Sequence, residues 1–408
     1  MHTARLIIIF VIVFIGSLPP PKPAPAATGG AALLPPHDQT AKDIWPLTPD
    51  QPPELTVAGK KTQPPVKTAV APAANESVAA TQTADGTAAP GNTGPTKSVS
   101  GWLPFWDMSE GMRVVNEFPN ALTEVSPFWY EIAPDGSVVN SPGAENNDVL
   151  ARIKTRHLSI VPTIATAEGP AISAVLNDDA RRAANIEQIM TKVRNPLYDG
   201  IDIDYENLPA SDRDIFSRFI QELGAKVHEA GKRLVVTVNA KTSEPGSWNG
   251  AQSHDYAALG ASADFVRVMA YDQHYASGPP GPVAGIDWVE KVITFSLARI
   301  PKEKLILGVP LYGYDWSGAG RAKSVVHDDA AAKSQSSQSP IEWDAQSASP
   351  FFHYSDGPET HTVWFENSRS LEAKIALVKK YDLGGIAIWR LGREDKTFYQ
   401  KVKAELAP

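Results

Sequence analysis

From about Lys97 onward, short apolar, β-branched runs alternate with stretches in which apolar residues recur every three or four positions. The runs predict strands over Val99–Phe105, Glu124–Ile132, Ser159–Ala165, Gly200–Tyr205, Arg233–Asn239, Phe265–Tyr271, Lys304–Pro310 and Gly385–Trp389. Several are almost unbroken apolar runs, as in parallel strands buried on both faces. The clearest helix starts at Ser211 as a cap with Asp214 in its first turn. It carries Ile215, Phe216, Phe219, Ile220, Leu223 and Val227 on one face and stops at Gly231. A second runs from about Ser370 to Tyr381, with Leu371, Ile375 and Val378 facing inward. Eight β-α units in succession predict an α/β fold, a (β/α)8 TIM barrel. An open doubly wound sheet is the alternative. It calls for a glycine-rich phosphate loop after the first strand, and Val99–Phe105 is followed by none.

Two regions depart from this rhythm. The stretch Asp315–Phe365 is too long for a simple connection, and Asp356-Gly357 lies between two β-prone runs, a hairpin signal. The barrel is therefore expected to carry a small hairpin-containing insertion after its seventh strand, at one wall of a cleft. The other region is the N-terminus. Arg5, the apolar run Leu6–Leu18 and the small residues Ala24-Pro-Ala26-Ala27 read as a signal peptide over 1–26, with an uncleaved membrane anchor as the alternative. Residues 27–97 are rich in Pro, Ala, Thr and Gly, and 16 of the 35 prolines fall within the first 100 residues. Such a segment buries too little apolar surface to offset chain entropy and is expected to be a disordered tether. The domain proper is then 98–408, and the protein is expected to be secreted or held in a bacterial cell envelope.

Composition narrows the functions. The net charge is −8 and no basic run occurs, which speaks against a nucleic-acid partner. The chain has no cysteine, so thiol nucleophiles, disulfides and zinc ribbons are excluded. A monomer without a cofactor is expected.

The chemistry concentrates in Asp199-Gly-Ile-Asp202-Ile-Asp204-Tyr-Glu206. Alternate side chains of a strand share a face, so Asp202, Asp204 and Glu206 point one way, roughly 6–7 Å apart. Two full charges at that distance repel by about 3 kcal/mol at an effective dielectric of about 20, which is worth about two pKa units. The row is expected to retain a proton and to hold both an acid and anions, the pair that glycosidic cleavage needs. A solvent-facing acidic strand and a divalent-metal site are the other readings of three carboxylates.

The spacing resembles the D-x-x-D-x-D-x-E signature of glycoside hydrolase family 18, the family of chitinases and related endo-N-acetylglucosaminidases. Met269-Ala-Tyr271-Asp272 resembles its M-x-Y-D, and Trp389 resembles the tryptophan that floors its cleavage subsite. The resemblance spans about 98–408. It implies a retaining hydrolase in which Glu206 is the acid and later the base, and the substrate's own acetamido oxygen is the nucleophile. Asp204 would hold the acetamido N–H, Asp202 would share a proton with Asp204, Tyr271 would orient the acetamido oxygen, and Asp272 would bind a sugar hydroxyl. Met269 and Trp389 would line the subsite. Asp199, at the strand start, is expected to be structural.

Met269–Gly278, Gly308–Tyr314 and Val363–Glu366 are similar to spore-cortex and cell-wall members of the family, which act on peptidoglycan. Trp102, Trp106, Trp129 and Tyr130 lie near the ends of the first two strands. Of these Trp102 and Tyr130 are singled out as sugar contacts, with core packing as the alternative. Tyr312, Tyr314 and Trp316 follow the seventh strand, and Tyr312 is the first choice among them for a subsite. Arg267 is expected to point inward and pair with Asp202 or Asp204. His254 and His274 suit surface or supporting roles, and no metal site is predicted. The expected substrate is a polysaccharide containing N-acetylglucosamine, peptidoglycan ahead of chitin. A carbohydrate-binding protein on the same barrel and a metal-dependent hydrolase are the competing classes.

Overall fold

The computed structural model describes residues 97–317 and 321–406. The predicted signal and tether lie outside the described residues apart from Lys97. Eight parallel strands form a closed sheet: β1 Ser98–Pro104, β2 Glu124–Ile132, β3 Thr163–Thr166, β4 Gly200–Tyr205, β5 Arg233–Asn239, β6 Phe265–Met269, β7 Leu305–Pro310 and β8 Gly385–Trp389. Each pairs with its sequence neighbour, and β1 closes the ring against both β2 and β8. This is the (β/α)8 barrel that the alternating pattern predicts, with helices between strands.

Local chemistry explains where strands begin and end. The predicted third strand is broken in two: Ser159–Ile160 pairs with β2, and β3 resumes at Thr163. Pro162 lies in the gap, and a proline has no N–H to give to a ladder. Strand β6 stops at Met269, two residues short of expectation. Asp272 then takes a left-handed backbone, φ 58°, turning the chain across the barrel mouth. Ser211 does not cap its helix. Ala210–Asp212 form a 3-10 turn, and the helix runs Arg213–Glu229. Its inner face buries Phe216, Phe219, Leu223 and Val227, and the Phe219 ring stacks on Tyr205 of β4 at 5.6 Å. The last large helix, Ser368–Lys380, begins with a capping box from Asn367 and Ser370.

The insertion is larger than a hairpin. The strands Ser349–Asp356 and Glu359–Trp364 do form the expected hairpin, turning at Gly357 with φ 60°. Three further strands, Gly313–Trp316, Lys323–Val325 and Glu342–Asp344, complete a five-stranded antiparallel sheet. One face of it packs on the helix His327–Ser336 through Phe352, Tyr354, Val363 and Ala330. The opposite face sends Tyr314 to the barrel mouth, where its hydroxyl meets Asp272.

Candidate active site

The site is built from the barrel axis outward. Asp202 on β4 is fully buried and four other strands each give it a donor. Trp102 Nε1 (β1), Thr163 Oγ1 (β3) and Arg267 Nη1 (β6) reach Oδ2 at 3.2, 2.9 and 2.9 Å, and Thr237 Oγ1 (β5) reaches Oδ1 at 2.9 Å. The other arm of Arg267 binds Glu124, which also takes Arg233 at 3.1 Å. The guanidinium lies 5.0 Å from the centre of the Trp102 ring. The expected inward pairing of Arg267 is present.

One step toward the mouth, Asp204 has the opposite environment. It is buried, and its Oδ1 has no hydrogen-bond partner. Burial, then the charges of Glu206 and Asp202, push its carboxyl well above the ordinary carboxylate range, against the pull of Arg267. The structure shows no hydrogen bond between Asp202 and Asp204. Asp202 is surrounded by four donors, whereas burial drives Asp204 toward the protonated form.

Glu206 follows the last residue of β4. Its N–H still continues the ladder to Thr166 O at 2.8 Å, and Oε2 accepts from Asn239 Nδ2 at 3.3 Å. Asn207 then turns left-handed, φ 56°, and its side chain binds Ala167 O at 3.1 Å. A Cβ on Gly169 would stand 1.7 Å from the Asn207 carbonyl oxygen, so only glycine admits this turn. The loop beneath Glu206 is fixed by these contacts.

Tyr271 and Asp272 complete the mouth. Burial, reinforced by Asp204 and Glu206, raises the Tyr271 phenol well above its usual range, so it remains a donor. Asp272 Oδ1 accepts from Tyr312 Oη at 2.6 Å and Tyr314 Oη at 2.9 Å. Burial nonetheless pushes Asp272 up to about 7, because it outweighs the two phenol hydrogen bonds. Folding therefore takes up a proton between pH 3.8, the ordinary value, and about 7. The contribution of this carboxyl to stability is full below pH 3.8, falls across that window and is gone above about pH 7. Asp272→Asn should flatten this dependence: the melting temperature of the variant relative to wild type rises from pH 4 to 7 and then levels off. A difference independent of pH would contradict it.

Asp204, Glu206, Met269, Tyr271, Asp272, Tyr312 and Trp389 all line one cleft of about 360 Å3 at the C-terminal ends of the strands. Catalytic sites of (β/α)8 enzymes occupy that end, and the volume lies within the roughly 300–1,000 Å3 of small-molecule sites.

The profile of glycosyl hydrolases family 18 matches residues 116–394. The chain belongs to glycoside hydrolase family 18. It is a glycosidase. Over 308 residues, 72% of each chain, it is 34% identical to YdhD of Bacillus subtilis, described as a sporulation-specific glycosylase. The spore cortex-lytic enzyme SleL of Bacillus megaterium superposes with a TM-score of 0.70 at 26% identity, over 78% of this chain and 76% of that one. A chitinase from Chromobacterium violaceum gives a TM-score of 0.70 at 29% identity, over 76% and 99%.

Two residues expected to touch sugar in this family 18 barrel do not line the cleft. Tyr130 is buried on the outer side of β2, where its hydroxyl meets Tyr198 at 2.7 Å and Glu145 at 2.9 Å. A β-bulge between Phe128 and Tyr130 breaks the alternation, so Phe128 faces the barrel mouth and Tyr130 does not. Trp102 lies beneath the floor: it packs edge-on against Trp389 at 5.6 Å and spends its N–H on Asp202. Trp316 likewise gives its N–H to Gly278 O. Asp199 stands before the strand, bound to Lys154 and to the Ile160 N–H, a structural place as expected.

The cleft also contains Gln273, Tyr275 and Trp288, which the sequence marks only as part of the resemblance, and residues that it does not mark at all: Asn239, Lys241 and Trp248. Asn239 was within reach. It shares the inward face of β5 with Thr237, and Thr237 already serves Asp202. Trp248 lies in an aperiodic loop. Its ring packs so close to the Gly250 backbone that a Cβ there would stand 2.2 Å from it. Among the described residues, no cluster of three or more His, Asp or Glu is arranged to hold a metal ion.

Proposed function

We propose that the chain is an exported, retaining β-N-acetylglucosaminidase of peptidoglycan that works by substrate assistance. The observation that carries the reading is the buried Asp204, whose Oδ1 has no hydrogen-bond partner, between the Asp202–Arg267 pair and Glu206; burial drives its carboxyl toward the protonated form. A two-carboxylate retaining mechanism needs an ionised nucleophile opposite the acid. Of the other three carboxyls lining the cleft, Asp204 and Asp272 are driven toward the protonated form by burial, and Glu244 is committed to ion pairs with Arg213 and Lys241. The unpartnered Oδ1 of Asp204 suits a different task, accepting the N–H of the substrate's acetamido group. The nucleophile is then the substrate's acetamido oxygen, oriented by the Tyr271 hydroxyl, with Glu206 delivering the proton to the leaving oxygen and later activating water. Trp389 supplies the apolar floor for the sugar ring.

Peptidoglycan is favoured because SleL is named for lysis of the spore cortex and YdhD for sporulation. The apolar run Leu6–Leu18 is the reason to place the enzyme outside the cytoplasm. Chitin is the second reading, favoured by the likeness to the Chromobacterium enzyme. Digestion of peptidoglycan and of chitin oligomers, followed by mass spectrometry of the new reducing ends, tests both. N-acetylglucosamine ends from peptidoglycan are expected. Muramic acid at every new end contradicts the proposal, and cleavage of chitin oligomers alone transfers it to chitin.

A further inference from the structure

The β4–β5 ladder ends at the Ile203–Val236 pair, and beyond it the two strands diverge toward the cleft. His254, fully buried, fills the gap. Its Nδ1 lies 3.1 Å from the Asn239 N–H, and its Nε2 lies 3.1 Å from the Tyr205 carbonyl oxygen. A carbonyl only accepts, so Nε2 carries the proton and Nδ1 accepts from Asn239. The imidazole is thus a neutral link between Tyr205, the residue before Glu206, and Asn239 at the end of β5. Burial keeps it neutral, with its pKa lowered to about 3. The Asn239 carbonyl is held from the other side by the Tyr256 hydroxyl at 2.6 Å. With its main chain fixed at both ends, Asn239 presents a side chain only 7% exposed, whose Nδ2 meets Glu206 Oε2 and whose Oδ1 has no partner. A buried polar atom left unsatisfied is costly, and such costs are kept where a group is held for function.

We propose that Asn239, locked by His254, is a positioning residue for the acid. Its amide holds Oε2 of Glu206, orients the carboxyl, and stabilises the carboxylate as the proton passes to the leaving glycosidic oxygen. The same contact serves the return step, in which Glu206 takes a proton from the attacking water. The inference rests on Glu206 being the acid. Among the charged and titratable groups around Glu206 are Asp204 and Tyr271, with Asp202 behind them; Asp272, Lys241 and Glu244 line the same cleft. Lys241 is tied to the His254 carbonyl and to Glu244.

The test compares Asn239→Ala, the isosteric Asn239→Asp and Glu206→Gln, each checked for folding by thermal melting. Losing a donor disfavours the carboxylate, so Asn239→Ala should lower kcat by about tenfold to a hundredfold, leave KM within about twofold, and move the basic limb of the kcat–pH profile up by about one unit. Asn239→Asp sets a second carboxylate against Glu206 and should move the limb further. A merely structural role would lower stability and kcat without moving the limb. If both Asn239 variants fold and keep the wild-type limb, the inference is overturned. Glu206→Gln separates the two claims: activity in that variant removes the acid itself, whereas an inactive Glu206→Gln with unmoved Asn239 profiles removes only the role of Asn239.

Discussion

Glu206→Gln is expected to lower kcat by about 10²–10⁴-fold on any substrate the enzyme accepts, with little change in KM or melting temperature. The side chain sits half-buried at the cleft, and its Oε2 accepts from the Asn239 amide. Glutamine preserves that contact through its carbonyl oxygen and keeps the same volume, but has no proton to give to a leaving oxygen. The fold should therefore be untouched while the chemical step is lost. A second consequence follows from the acid row. The charge of Glu206 is one of the causes that raise Asp204, so its removal should let Asp204 ionise at lower pH. Initial rates on N-acetylglucosamine oligomers, with thermal melts of both proteins, decide the matter. Wild-type turnover in a folded Glu206→Gln protein would remove Glu206 from the mechanism.

The parts of this site legible in the sequence were those governed by period. In β4 the two-residue alternation places Asp202 and Asp204 inward, and burial of Ile201, Ile203 and Tyr205 against the outer helices follows from the same count. The same count on β5 leads from Thr237 to Asn239, a step that required asking what a polar residue does at a strand end. Where the backbone departs from period, side-chain type alone misleads. Nothing in Phe128-Trp129-Tyr130 marks the bulge that turns Tyr130 away from the cleft. Trp102 carries the composition of a stacking platform, and only its bond to Asp202 shows that it lies under the floor. The loop with Trp248 and the three extra strands of the insertion depend on long-range pairing, which a hydrophobic pattern does not encode. The raised Asp204 carboxyl is likewise a property of its burial and of Glu206, Asp202 and Arg267 around it.

Those neighbours make Arg267 the residue whose loss should cost most in stability. Its side chain is 2% exposed, and its two arms neutralise Asp202 and Glu124, whose side chains are 0% and 4% exposed. Arg267→Met fills a similar volume but leaves Asp202 with only neutral donors, and Glu124 with only the partly exposed Arg233. Breaking a buried pair from one side typically costs about 3–5 kcal/mol, because the remaining charge is stranded away from water. Denaturant unfolding should show a loss of that size. Arg267→Lys should recover only part of it, since a single ammonium cannot reach two carboxylates in a forked geometry or stack as well on Trp102. Adding Glu124→Gln to Arg267→Met should restore some stability by removing one stranded charge. A loss below about 1 kcal/mol in Arg267→Met would mean that Asp202 and its three remaining donors are hydrated rather than dry. Activity should fall along with stability, because the Arg267 pair fixes the position of Asp202 beside Asp204 and Glu206.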